Sequence, residues 1–173
     1  MDSKERLKKQ VVESAGNVVY TYAAHWIIVN RLETRLKKFK WWQIILTVLS
    51  TAGIIQAITV GIPWLNWLSG VISALSLCVT LYMLNFNLEE ETKKHKDAAN
   101  ELWEVREAYR SLLVDFDDLD IDVIRNKRDS LTERISQINK SYPGTDEKAF
   151  AKAKKEIGKY TFEEGEADKL VKG

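Results

Sequence analysis

The chain has 173 residues, 26 Lys and Arg against 25 Asp and Glu, a net charge of +1 at pH 7 and one cysteine. That net charge by itself says nothing about nucleic acid, no nucleic-acid partner is expected, and Cys78 alone makes neither an intrachain disulfide nor a thiolate metal cluster. The mean hydropathy of -0.27 averages two unlike parts: 48 consecutive residues, Trp41 to Leu88, without Asp, Glu, Lys or Arg, and about 125 residues dense with charge.

Residues 1–40 read as a cytoplasmic N-terminal helix. Residues 4–38 contain no proline and one glycine, Gly16, and Val12, Ala15, Val19, Tyr22, Trp26, Val29, Leu32 and Leu36 recur at steps of three and four. That is the period of one helical face. Ser14 to Asn30 is uncharged for 17 residues, which raises the possibility of a further crossing. The run is at the short limit for a span and carries Asn17, His25 and Asn30, so a helix packed on another helix is the expectation. An apolar signal-peptide core would begin well before residue 41, so no cleavable leader is expected.

The uncharged stretch is long enough for two helical crossings of a bilayer core about 30 Å thick and too short for three. It divides into a first transmembrane helix at 41–60, a periplasmic turn at 61–63 (Gly61, Ile62, Pro63) and a second transmembrane helix at 64–86. Trp41 and Trp42 at the first edge, and Trp64 and Trp67 after the turn, stand where indole rings prefer the membrane–water boundary. Arg31, Arg35, Lys37, Lys38 and Lys40 precede the hairpin, Lys93, Lys94 and Lys96 follow it, and the turn is uncharged. Both termini are therefore expected in the cytoplasm.

Within the crossings, Asn66, Ser69, Gly70, Ser73, Ser76 and Thr80 share one helical arc, and Gln43, Thr47 and Ser50 share a face with Gly53, Ala57 and Gly61. Two readings stay open. The small residues Gly53, Ala57 and Gly61 pack helices closely, and Asn66, Ser69, Ser73, Ser76 and Thr80 either bond across a helix contact or line a wet pore. No ionisable group lies in the gap, which disfavours an ion-coupled transporter but not a simple pore.

Residues 87–141 read as cytoplasmic helices. Glu89, Glu90 and Glu91 with Lys93, Lys94 and Lys96 offer pairs of opposite sign, and Leu102, Val105, Tyr109, Leu112, Phe116 and Leu119 form a heptad seam. This seam is expected to cover the stripe of the first helix, making a stalk. Five aspartates between Asp115 and Asp122 then mark a corner, and a second period through Val123, Ile124, Leu131, Ile135 and Ile138 runs to about Ser141. Residues 142–173 comprise a turn from Tyr142 to Asp146, a short helix at 147–157 and a tail.

Asp118, Asp120 and Asp122 match the first ligand positions of a calcium loop, but Val123 stands where the bend requires glycine and Asp129 stands where the loop ends in glutamate. A polar corner with an aspartate cap is the simpler expectation, and no metal or cofactor is assigned. Glu104 and Glu107 lie inside the heptad pattern, and no nucleophile, phosphate loop or metal motif occurs. No enzymatic role is expected.

The segment from Tyr20 to Leu32 runs through His25 and Trp26 straight into the basic stretch and the hairpin. It is followed by Lys127 to Leu131, Tyr142 to Thr145 and Ala149 to Ala153. In this order and placement the chain resembles the SLATT family, the two-transmembrane effector domains of bacterial nucleotide-signalling and antiphage systems. The resemblance implies an all-α membrane protein that forms pores or otherwise disrupts the inner membrane. It also implies a trigger from a separate sensor protein, a nucleotide-producing enzyme or a bound ligand, while the hairpin itself leads to the lipid bilayer and other copies of the chain as expected partners. The rival expectation is a scaffold that recruits a cytoplasmic partner through its stalk.

Overall fold

A computed structural model describes residues 3–59 and 62–157. Among these residues the regular structure is entirely helical: α1 (Ser3–Thr59), α2 (Pro63–Phe86), α3 (Leu88–Val114), α4 (Ile121–Ser141) and α5 (Glu147–Ile157). The chain divides into two compact units, one from Met1–Val29 with Lys93–Gly173 and the other from Asn30–Thr92.

The pre-membrane segment and the first apolar segment are one helix of 57 residues, because nothing between them breaks it. The charged stretch from Arg31 to Lys40 is rich in good helix formers and contains neither glycine nor proline. The start of α2 is set by Pro63. The residue before it, Ile62, is forced to an extended conformation (φ -76°, ψ 113°), and proline at the first helical position loses no needed hydrogen bond. The end of α2 is set by Asn87, whose left-handed backbone (φ 39°, ψ 43°) suits asparagine better than most residues. α3 starts at the next residue, with Glu89, Glu90 and Glu91 in its first turn, where the helix dipole favours negative charge.

The first unit has a core drawn from three helices. Leu7, Val11 and Val18 of α1 meet Leu102, Val105, Tyr109 and Leu112 of α3, Phe116 just beyond it, and Ile124 and Ile138 of α4. The stripe expected on α1 is met in part: Val29 and Leu32 are buried and Ala15 and Tyr22 pack against this core, while Val12, Val19 and Trp26 are half-buried. Where Val11–Val12 and Val18–Val19 offer adjacent apolar side chains about 100° apart around the axis, packing buries Val11 and Val18.

The acidic corner between α3 and α4 is bound by lysines. Lys4 Nζ donates to the carbonyls of Asp117 (2.8 Å) and Leu119 (3.1 Å), and Lys8 Nζ lies 3.4 Å from the Asp117 carboxylate and 5.6 Å from the centre of the Phe116 ring. Asp120 occupies the N-cap position of α4 but makes no side-chain cap bond. Asp146 does cap α5, accepting from the Ala149 backbone at 2.8 Å. Glu101 ties α3 to α4, accepting from the Tyr142 hydroxyl at 2.6 Å and pairing with Arg134 at 3.0 Å. Its negative charge raises the Tyr142 phenol above its ordinary range, chiefly through that hydrogen bond.

Candidate functional site

The second unit is built on α1 beyond Asn30 and on α2, which contact each other along their length as an antiparallel pair. Phe39 stacks near Tyr82, with centroids 5.0 Å apart. Gln43 Nε2 donates to Thr80 Oγ1 at 3.2 Å, Ser50 Oγ and Ser73 Oγ are 2.5 Å apart, and Gly53 faces Ser69. A β-carbon on Gly53 would collide with the Cβ and Oγ of Ser69, so the approach here requires the missing side chain. Gly70, by contrast, has open space around it.

The rest of the pair presents apolar surface outward. Ile44, Val48, Ile55 and Ile58 of α1 and Trp67, Val71, Leu77 and Leu84 of α2 are each more than half exposed, and α2 has no buried residue. Among the described residues two helices are long and apolar enough to cross a membrane, and their most apolar windows bury nothing within the chain. A surface of this extent is unsuited to water and suited to lipid, since helices satisfy every backbone polar group internally.

Polar side chains gather in one place on this pair. Thr47, Ser50, Thr51, Ser73, Ser76 and Thr80, with Leu77, line a groove of about 270 Å³. Several of these hydroxyls also bond their own helix: Thr47 donates to the Gln43 carbonyl (2.8 Å), Thr51 to that of Thr47 (2.9 Å) and Thr80 to that of Ser76 (2.9 Å). Ser69 donates to the Leu65 carbonyl at 2.8 Å.

The polar stripe expected from spacing is thus divided. Ser69, Ser73 and Thr80 meet α1 within one chain, Ser76 lines the groove beside them, and Asn66 is exposed. Of the small residues, Gly53 is at the contact, Ala57 is half-buried and Gly61 lies outside the described residues. Leu102, Val105, Tyr109, Leu112 and Phe116 are all in the core of the first unit. Sequence reasoning missed Gln56, whose amide nitrogen and oxygen are both buried without a hydrogen-bond partner among the described residues.

It also missed the histidine pair. His25 of α1 and His95 of α3 are buried, with their Nδ1 atoms 2.9 Å apart. A signal existed: His95, Leu102, Tyr109 and Phe116 stand at successive steps of seven, so His95 continues the seam one heptad upstream. Burial, and secondly the adjacent His95, pushes His25 down to about 4. At the base of the apolar pair, Lys40 Nζ lies 2.6 Å from Glu89 Oε1 and holds that carboxyl below its usual range. Both groups are exposed, so this bridge contributes little stability.

No curated protein and no solved structure matches this chain. A family model does match, that of the SMODS and SLOG-associating 2TM effector domain family 4, over residues 7–166. The match spans α2 to α5 whole and all of α1 beyond its first turn, and the two membrane-length helices are what a two-transmembrane domain requires. The chain therefore belongs to the SMODS and SLOG-associating two-transmembrane effector (SLATT) domains, in family 4.

Proposed function

We propose that several copies of this chain assemble in the bacterial inner membrane and open a water-filled pore when a separate sensor protein or nucleotide signal triggers them. The observation that carries the reading is the groove of six hydroxyl side chains set into an otherwise apolar pair of membrane-length helices. Facing lipid, such a groove gains nothing from the bilayer. In a ring of hairpins, the same faces turned inward offer hydroxyls to water, while the apolar faces meet lipid and neighbouring copies. The Ser50–Ser73 and Gln43–Thr80 bonds, which use three of the lining side chains, hold each hairpin together. No chemical step on a substrate is involved.

The test is membrane potential and dye uptake after induced expression with the trigger present. Thr51→Leu and Ser76→Leu, which make the groove apolar without touching the Ser50–Ser73 bond, are expected to suppress leakage at least tenfold, because a hydrophobic constriction gates by dewetting. Insertion and oligomer size should stay as in the wild type. If these variants dissociate the oligomer, the groove is an interface between copies. If the wild-type protein never depolarises a membrane, the scaffold reading replaces this one.

A further inference from the structure

Thr34, Lys37, Lys38, Trp41, Trp42 and Ile45 line a cleft of about 330 Å³ on α1. Their steps of three and four place them on one helical face, in an order that changes from polar to apolar along the axis. Lys37 and Lys38 are exposed at one end, Trp41 (66 %) and Trp42 (59 %) stand a turn further on, and Ile45 (43 %) follows inside the uncharged stretch. The neighbouring Lys40 is committed to Glu89. Lys37 and Lys38 have no carboxylate within ion-pair distance among the described residues.

We propose that this cleft binds the headgroup of an anionic phospholipid. Two ammonium groups without a carboxylate partner are left to a phosphodiester. The indole rings prefer the level of the glycerol backbone, and the exposed isoleucine lies where acyl chains begin. A free phosphate ion would use the lysines but not the tryptophans or Ile45, so the apolar end of the cleft selects lipid as the source of the phosphate. The site stands whether or not the hairpins form a pore, since it needs only that residues 41–59 enter a bilayer.

The experiment is lipid titration of the detergent-solubilised full-length protein, followed by native mass spectrometry. Phosphatidylglycerol and phosphatidylcholine of identical chains are compared. Phosphatidylglycerol should bind at least tenfold more tightly. The double variant Lys37→Gln/Lys38→Gln should weaken it about 30-fold, two lysines at about 1 kcal/mol each near an anionic surface. Lys93→Gln/Lys96→Gln removes the same charge from exposed positions beyond the second crossing, and should change binding by less than about twofold. Trp41→Ala/Trp42→Ala should weaken both lipids. Equal losses in the two lysine variants would mean diffuse surface attraction and overturn the site. Equal affinity for the two lipids, or displacement of phosphatidylglycerol by millimolar inorganic phosphate, would overturn it as well.

Discussion

His25 and His95 show how a single buried contact sets a pH dependence. With Nδ1 atoms 2.9 Å apart, one ring must donate and the other accept, so the accepting ring carries no proton on its Nδ1. A proton added to the accepting nitrogen leaves two donors facing each other in a site that excludes water. His25 binds its proton near pH 4 in the folded chain against 6.5 when unfolded, so between those values the unfolded chain holds more protons. Stability from this group is complete above about pH 6.5 and falls as the pH drops towards 4, by at most about 1.4 kcal/mol per pH unit. Urea unfolding of the detergent-solubilised protein, followed by far-ultraviolet circular dichroism, should show this loss between pH 7.5 and 5. His25→Gln should flatten it, and an unchanged slope in that variant would assign the acid sensitivity to other groups.

At the scale of the helix, the contact between α1 and α2 depends on one absent side chain. Gly53 lets α2 approach until Ser69 fills the space a β-carbon would need, while Gly70 faces no atom at all. Gly53→Leu is therefore expected to splay the pair, at an overpacking cost of about 1–3 kcal/mol. The readout is a disulfide between Ser50→Cys and Ser73→Cys in a Cys78→Ser background, two positions whose hydroxyls are 2.5 Å apart. Cross-linking should fall severalfold with Gly53→Leu and hold with Gly70→Leu. Equal yields in the two would remove Gly53 from the contact. The spacing of Gly53, Ala57 and Gly61 was readable as a packing face, but which of them meets α2 depends on where the second helix stands, and periodicity carries no such information.

For the molecule as a whole, charge on either side of the apolar pair is expected to set its direction in the membrane. Five basic residues between Arg31 and Lys40, and Lys93, Lys94 and Lys96, flank a turn without charge. Reporters fused at residue 1 and after Gly173 should both behave as cytoplasmic, and one fused between Gly61 and Trp64 as periplasmic. A periplasmic signal from the N-terminus would require an additional crossing near residues 14–30. The structure places Val18, Ala24, His25, Ile28 and Val29 of that segment in buried positions, unlike the exposed side chains of the apolar pair.

Helical class, the two membrane-length segments and the family were legible in the residues themselves, because each rests on composition and order along the chain. A 48-residue run without charge has few physical solutions, and a heptad through Leu102, Tyr109 and Phe116 buries one face of a helix whatever covers it. Tertiary structure alone decided that Val11 and Val18 of α1 are buried more deeply than Val12 and Val19, that Lys4 and Lys8 occupy the acidic corner, and that His25 meets His95. It also turned most of the hydroxyl stripe of α2 towards α1. The reason is the same in each case: these are pairings between residues 23 to 115 positions apart, and which side chains meet across such a gap is set by how the helices rotate and slide when they pack.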